Sequence, residues 1–205
     1  MKESRLHAVL TAIIDVVWAG LLWLVCSLPV FTVGAASTAL YYVAVKCIRR
    51  ERGELTASFF RSFRLNFRQG TALWLICLAY LLVGVADVCA FGRMGVAPGH
   101  PLYYVSRFFF LPAALLLPWL FAVLSRFQNS VGGTLKFAVF LMLRNPGRSL
   151  LLTLELAGAL TIAWLLPQIL PLLPGAVCLL MSFSIEPVFK RYTADADAAD
   201  AWFNE

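Results

Sequence analysis

The stretch LHAVLTAIIDVVWAGLLWLVCSLPVFTVGAASTALYYVAVKCI, residues Leu6–Ile48, carries almost no charge apart from Asp15 and, near its end, Lys46. A hydrocarbon core about 30 Å thick is crossed by about 20 apolar residues in a helix, so this stretch is about twice as long as one membrane helix requires. The sequence therefore predicts an all-α, polytopic transmembrane helical bundle. Further apolar runs of the same kind follow at Gly70–Phe91, Leu102–Leu124 and Leu150–Phe189.

Composition separates this chain from soluble proteins before any motif is considered. Hydrophobic residues make up 61% of the 205 residues, charged residues make up 14%, and the mean hydropathy is +0.81. Soluble domains contain about 45–50% apolar and about 25% charged residues. The net charge of +6 and the pI near 9.3 do not indicate nucleic-acid binding, because membrane proteins retain Lys and Arg in their cytoplasmic loops. We expect membrane lipid, and no nucleic acid, as a partner.

Proline-containing breaks divide the two longest apolar runs. Pro29 and Gly34 divide the first, because proline removes a backbone donor and glycine permits a tight reversal. A group of prolines after Leu166 divides the last. The segment 35–47 is short for a full crossing, so a five-span arrangement with a re-entrant loop there stays open. The favoured arrangement is a single integral membrane domain, residues 1–205, with six spans near 8–28, 35–47, 70–91, 102–124, 150–166 and 175–189.

The basic residues provide an independent check on the number of spans. Six crossings with the N-terminus inside place all of the 17 Lys and Arg residues except Arg93 and Arg107 on the cytoplasmic side. This distribution is the one that the positive-inside rule favours. We therefore predict a multi-pass protein of the plasma membrane with both termini in the cytoplasm.

A basic amphipathic segment, LTASFFRSFRLNFR, is predicted to form an interfacial helix near residues 55–68. At 100° per residue its aromatic and basic side chains fall on opposite faces, a pattern typical of helices that lie in the membrane interface. The same surface could instead dock the cytoplasmic domain of a partner, and the two interpretations are compatible. The residues concerned are Phe59, Phe63 and Phe67 on one face and Arg61, Arg64 and Arg68 on the other.

A second interfacial helix is predicted near residues 130–145, and it enters the next span much as the first one does. Asn66 and Asn145 occupy corresponding places just before the two spans. The similarity indicates a repeated unit of span, interfacial helix and span, with both copies in the same orientation. Parallel repeats occur in transport proteins, but a duplication alone does not make a transporter.

Four carboxylates are predicted to lie within the spans: Asp15, Asp87, Glu155 and Glu186. Such residues face the bundle interior or water, because a charge at the bilayer centre costs about 2.5–3.5 kcal/mol on insertion scales. They could form a proton- or cation-coupled binding site, or they could pair with arginines and backbone donors for structure. Both interpretations stay open, with Asp15 and Glu155 the better candidates for function.

No pattern in the sequence indicates catalysis, a metal or another cofactor. The five cysteines show no C-x-x-C spacing, and Cys26 lacks the small preceding residue of a lipoprotein cysteine. No H-E-x-x-H, phosphate-binding loop or nucleophile elbow is present. We therefore expect that the protein is not an enzyme.

Three segments resemble the YesL family of bacterial membrane proteins: LLWLVCSLPVFTVGAASTALYYV (Leu21–Val43), SFFRSFRLNFRQGTALWL (Ser58–Leu75) and LSRFQNSVGGTLKFAV (Leu124–Val139). The first is the most specific, and the likeness covers about Ile13–Leu152. Many members have an acidic residue where this chain has Gln128, so the resemblance assigns no charge-based role there. Family members are multi-pass proteins of undetermined activity, often encoded beside carbohydrate-uptake systems, and no catalytic residue can be transferred.

Two functions are consistent with these observations. The favoured one, which the resemblance implies, is an accessory or assembly partner of a carbohydrate uptake system, with transporter subunits as partners. The alternative is a small-molecule transporter or channel in its own right that uses the intramembrane carboxylates. The substrate, the partner and the oligomeric state are not encoded in any motif.

Overall fold

The computed structural model describes residues 2–95, 99–127 and 129–192, with side chains from residue 10 onward. Gln128 and the tail 193–205 therefore lie outside the described residues. The described part contains helices and no strand, which confirms the predicted all-α, polytopic class. The α-helices are α1 (Lys2–Ser27), α2 (Val33–Val43), α3 (Leu55–Arg93), α4 (Pro101–Phe108), α5 (Phe110–Arg126), α6 (Val131–Arg144), α7 (Pro146–Leu165) and α8 (Leu173–Tyr192).

Six segments of the described chain are long and apolar enough to cross a membrane. The two proline-containing breaks occur where the sequence predicts them: α1 ends at Ser27 before Pro29, and α7 ends at Leu165 before Pro167. Short 3-10 turns, Val30–Thr32 and Pro167–Ile169, make the connections. The six segments are Leu10–Ser27, Val30–Arg49, Leu55–Arg93, Pro101–Arg126, Pro146–Leu165 and Leu173–Tyr192.

The second segment, Val30–Arg49, forms the centre of the bundle. Its apolar window is 72% buried, against 17–39% for the other five, and α2 contacts α1, α3, α5 and α8. After Val43 the helix continues as a six-residue π-helical turn, Ala44–Arg49, a widened turn that is often associated with functional sites. This turn contacts α8, and it buries Lys46 while leaving Arg49 exposed.

The helix α3 corrects the predicted division between an interfacial helix at 55–68 and a span at 70–91. The chain forms one unbroken helix of 39 residues from Leu55 to Arg93. Gly70 does not end the helix, because a single glycine costs only about 1 kcal/mol in a helix interior. It instead permits close packing, since a Cβ there would lie 2.9 Å from the Cα of Ala35.

Gly34 has the same role on the facing helix, which corrects the prediction that it forms the reversal. It lies inside α2, and a Cβ on Gly34 would overlap the carbonyl oxygen of Gly70. The absence of both side chains brings the backbones of α2 and α3 together, as small residues do at membrane helix interfaces. The reversal itself is made by the 3-10 turn after Pro29.

The predicted fourth span at 102–124 is also different, because it consists of two helices, α4 and α5, that are separated at Phe109. Pro112 explains the break: it has no N–H for the carbonyl of Phe108, and its ring clashes there. The Tyr80 hydroxyl donates to the carbonyl oxygen of Phe109 at 2.6 Å, and the two rings stack 4.3 Å apart. Tyr80 of α3 thus stabilises the interruption.

A second proline, Pro118 inside α5, has a partner on α7. It leaves the carbonyl of Ala114 without a helical donor, and the Thr153 hydroxyl lies 3.2 Å from that oxygen. The residue directly after Pro118, Trp119, is fully buried and donates its indole N–H to the Ser149 hydroxyl at 2.9 Å. Two polar contacts therefore join α5 and α7 inside an apolar cluster.

The helix predicted near 130–145 is observed as α6, and Ser130 accepts from the backbone N–H of Gly133 at its start. Unlike α3, it ends before the next span, because Pro146 begins α7. The two copies of the proposed repeat thus differ at this junction. They share one local feature: Asn66 and Asn145 each donate a side-chain N–H to the carbonyl four residues earlier, at 3.0 and 3.1 Å.

Candidate functional site

A buried carboxylate, Glu186 of α8, joins three helices. Its side chain forms an ion pair with Arg126 at the end of α5, and its other oxygen accepts from the Tyr41 hydroxyl of α2 at 3.0 Å. Glu186 is only 2% exposed, and the Arg126 side chain is equally buried and also lies over the ring of Phe189. Removing one member of such a pair costs about 3–5 kcal/mol, because the other charge stays buried without compensation. Glu186 thus pairs with an arginine, as the structural interpretation of the four carboxylates expected.

Two further arginines reach the same part of α8. Arg49, from the π-helical turn, donates to the carbonyl oxygen of Ser182 at 3.0 Å, and Arg148 of α7 donates to that of Ser184 at 3.2 Å. Pro187 lies just beyond, where its missing N–H and its ring disturb the helical ladder of α8. Arginines from three separate elements therefore converge on Ser182–Glu186.

Next to Arg126 is a cavity of about 630 Å³, which we call the arginine cavity. Among the described residues that line it, three are arginines, the others are uncharged, and most of these carry a hydroxyl or an amide. The helices α2, α3 and α5 and the start of α6 each contribute to its wall. The lining residues are Tyr42, Arg61, Ser62, Leu65, Asn66, Arg68, Gln69, Ser125, Arg126, Phe127, Asn129 and Ser130.

The basic face of α3 divides differently from the sequence prediction. All three arginines are exposed, but only Arg61 and Arg68 line the arginine cavity, and Arg64 is not part of its wall. Because Arg61 and Arg68 are seven residues apart, they lie on the same side of the helix. Asn66 lies between them in the sequence, with its amide directed back to Ser62.

The aromatic face of α3 packs on the protein itself, which corrects the assignment of Phe59 to an exposed interfacial or partner surface. Phe59 is fully buried in an apolar cluster with residues of α1 and α2. Phe63 stacks on it with ring centroids 6.3 Å apart, and Phe67 packs edge-on against Phe63 at 5.5 Å. Phe63 and Phe67 are partly exposed. Helical periodicity identifies an apolar face, but not whether lipid or protein covers it.

A second cavity, of about 420 Å³, is lined almost entirely by apolar side chains of α1, α2, α3, α5, α7 and α8, including Trp23, Trp74 and Phe121. Tyr41 and Ile185 belong to its wall, whereas Arg126 belongs to the wall of the arginine cavity. Because Glu186 contacts both Tyr41 and Arg126, the buried ion pair lies between the apolar and the polar cavity.

The four predicted carboxylates do not meet at either cavity. Asp15 on α1 and Asp87 near the end of α3 are partly exposed, and Glu186 is held by Arg126 and Tyr41. Glu155 on α7 is partly exposed as well, and its Oε2 atom is buried without a hydrogen-bond partner among the described residues. None of the four lines the arginine cavity or the apolar cavity.

The partners of Glu186 and the arginine cavity were not predicted from the sequence. The sequence signal that could have indicated both features is Arg126, a basic residue at the end of an apolar run. Among the described residues, no three His, Cys, Asp or Glu side chains lie together as metal ligands would. The five cysteines are free thiols.

Comparison with known proteins matches the first part of the chain to a described family. A family described as "Protein of unknown function, DUF624" matches residues 16–88. The match runs from α1 through α2 and covers most of α3. It includes Tyr41, Arg61 and Arg68 of the site but neither Arg126 nor Glu186. No curated protein and no solved structure matches this chain.

Proposed function

We propose that this chain is an accessory subunit in the plasma membrane that assembles with a carbohydrate uptake system. The resemblance to the YesL family supports this role, and the match to a family of unknown function over residues 16–88 is compatible with it. The proposal places both termini and the arginine-rich turns in the cytoplasm, in agreement with the positive-inside rule. It includes no catalytic step.

The observation that carries the proposal is that exposed apolar and basic side chains occur on both of two elements that contact each other, residues 55–69 of α3 and the helix α6. Phe60 and Leu143 are exposed there, the latter at 69%, although both are large apolar side chains. Arg64 and Arg144 are exposed on the same two elements. Partner interfaces combine apolar anchors with arginine in this way.

The transporter alternative has less support. A coupling carboxylate has to face the route of the ion or substrate, and none of the four acids lines either cavity. The best buried of them, Glu186, already accepts from Arg126 and Tyr41.

The test is co-purification from native membranes after mild detergent extraction, with captured proteins identified by mass spectrometry. The wild-type chain is expected to recover subunits of a carbohydrate uptake system, and Phe60→Ser combined with Leu143→Ser is expected to reduce that recovery at least fivefold. Leu160→Ser, at an exposed position on α7, is the matched control and should recover them normally. Recovery of the chain without uptake-system subunits would contradict the proposal.

A further inference from the structure

The lining of the arginine cavity has a strong excess of positive charge. Arg61, Arg68 and Arg126 contribute to the wall, and no Asp or Glu of the described residues does. Arg126 is neutralised in part by Glu186 behind it. Lys46 donates to the hydroxyl of the lining residue Tyr42 at 2.8 Å, so another cation contacts the wall. The cavity is therefore suited to an anion.

The polar atoms around these arginines are of two kinds, amides and hydroxyls. Asn66, Gln69 and Asn129 supply the amides, and Ser125 and Ser130 supply hydroxyls. Arginine matches the geometry of a phosphate group with paired donors, while amides and hydroxyls can both donate to and accept from the hydroxyl groups of a ligand. Such a set fits an anion that also bears hydroxyls.

The start of α6 adds a further favourable contribution. Ser130 is the N-cap residue of this 14-residue helix and also lies in the wall of the cavity. The first N–H groups of a helix and its dipole stabilise negative charge nearby. The cavity volume of about 630 Å³ lies within the range of small-molecule sites, about 300–1,000 Å³.

The cavity also lies at the point along α3 where the sequence changes from basic and polar to apolar. The residues that α3 contributes all fall between positions 61 and 69, and the apolar run of this helix begins directly after them. Basic residues next to a membrane span are placed to meet phosphate groups at the membrane surface. The same position is open to a soluble phosphate ester from the adjoining aqueous phase.

From these contacts we infer that the arginine cavity binds a phosphate ester with free hydroxyl groups, such as the glycerol phosphate unit. This unit is available both as the headgroup of phosphatidylglycerol and as free glycerol 3-phosphate. Arg61 and Arg68 bind the phosphate, and the amide and hydroxyl side chains bind the polyol. The inference does not depend on assembly with an uptake system.

The test uses the full-length protein in detergent and four probes. Native mass spectrometry measures retention of added phosphatidylglycerol against phosphatidylcholine, and calorimetry measures binding of glycerol 3-phosphate against inorganic phosphate. The test variant is Arg61→Gln with Arg68→Gln. The control is Arg64→Gln with Arg144→Gln, which removes the same charge from exposed positions that do not line the cavity. All variants are first compared with the wild type by thermal unfolding.

Selective retention of phosphatidylglycerol, reduced at least tenfold in the test variant and less than twofold in the control, supports the inference with a lipid as the source. Binding of glycerol 3-phosphate with the same pattern supports it with a soluble ester as the source. If neither probe binds, or if the control loses as much as the test variant, the inference is wrong. Equal binding of glycerol 3-phosphate and inorganic phosphate would overturn the assignment of the polyol contacts. The co-purification partners of Phe60→Ser with Leu143→Ser report on the proposed function separately, because neither residue lines the cavity.

Discussion

Arg126 and Glu186, which are 60 residues apart in the sequence, form an ion pair in the interior of the helix bundle. The pair links the end of α5 to α8, and Tyr41 extends it to α2. It also lies between the polar and the apolar cavity. The contact is thus both a constraint on helix packing and a boundary between two chemically different spaces.

Breaking this pair should destabilise the protein more than replacing both partners. We expect Arg126→Gln alone to lower the free energy of unfolding by about 3–5 kcal/mol, because the Glu186 carboxylate stays buried. Arg126→Gln combined with Glu186→Gln should lower the free energy of unfolding clearly less, since the two amides can form a hydrogen bond with each other. Thermal and denaturant unfolding in detergent measure the difference, with Asp87→Asn at a partly exposed position as the control. A single variant as stable as the wild type would contradict the importance of the pair.

The close approach of α2 and α3 depends on the missing side chain of Gly34. Gly34→Ala should destabilise the protein by about 1–3 kcal/mol. The added Cβ would overlap the carbonyl oxygen of Gly70 and push the two helices apart. Gly158→Ala is the matched control, since a Cβ there meets nothing within 4 Å. That variant should be neutral or stabilising, as alanine favours the helix over glycine. Equal stability of the two variants in an unfolding assay would show that α2 and α3 are not in close contact.

The hydroxyl of Thr153 should matter because Pro118 leaves a carbonyl of α5 in need of a donor. Thr153→Val preserves shape but removes the contact with the Ala114 oxygen, and we expect a loss of about 0.6–2 kcal/mol. Thr161→Val is the control, because the Thr161 hydroxyl donates within its own helix, to the carbonyl oxygen of Ala157. If the unfolding curves of the two variants coincide, an interhelical role for Thr153 is contradicted.

The orientation can be checked by cysteine labelling with a membrane-impermeant maleimide, in a background without the five native cysteines. Glu54 and Met94 are both exposed and lie at opposite ends of α3. We expect Glu54→Cys to react only after the cells are permeabilised, and Met94→Cys to react in intact cells. Labelling of Glu54→Cys from outside would reverse the orientation and remove the cytoplasmic surface on which the proposed function depends.

The carboxylates Asp15 and Glu155 should be dispensable for uptake if the protein is an accessory subunit. We expect Asp15→Asn and Glu155→Gln to support normal uptake of the carbohydrate that the co-purified system carries, because neither residue lines a cavity. Phe60→Ser with Leu143→Ser should lower the same uptake. The measurement is accumulation of labelled sugar at equal protein expression. Loss of uptake in either carboxylate variant would favour the transporter alternative.

The segments that cross the membrane could be predicted because long apolar runs and prolines act locally. Pro29 and Pro167 mark breaks that depend on the backbone chemistry of a few neighbouring residues. The continuity of α3 through Gly70 could not be predicted in this way, because glycine can end a helix or let another helix approach. The partner that decides between these roles, Gly34, lies on a different helix.

The candidate site was harder to predict than the spans. Arg126, Tyr41 and Glu186 come from three helices, and nothing in their separate surroundings reveals that they meet. The amphipathic pattern of residues 55–68 could not tell that α1 and α2 cover Phe59. The break at Phe109 did have a local signal in Pro112, four residues after Phe108.

The length of α3 has a mechanical consequence. At 1.5 Å per residue, its 39 residues extend about 58 Å, whereas a bilayer with its headgroups measures about 40–45 Å. The helix is therefore longer than the bilayer is thick, and it either tilts or extends past one membrane surface. Its Leu55 end lies about 22 Å along the helix from the contact between Gly70 and Gly34, and the burial of Phe59 against α1 and α2 holds that end to the bundle.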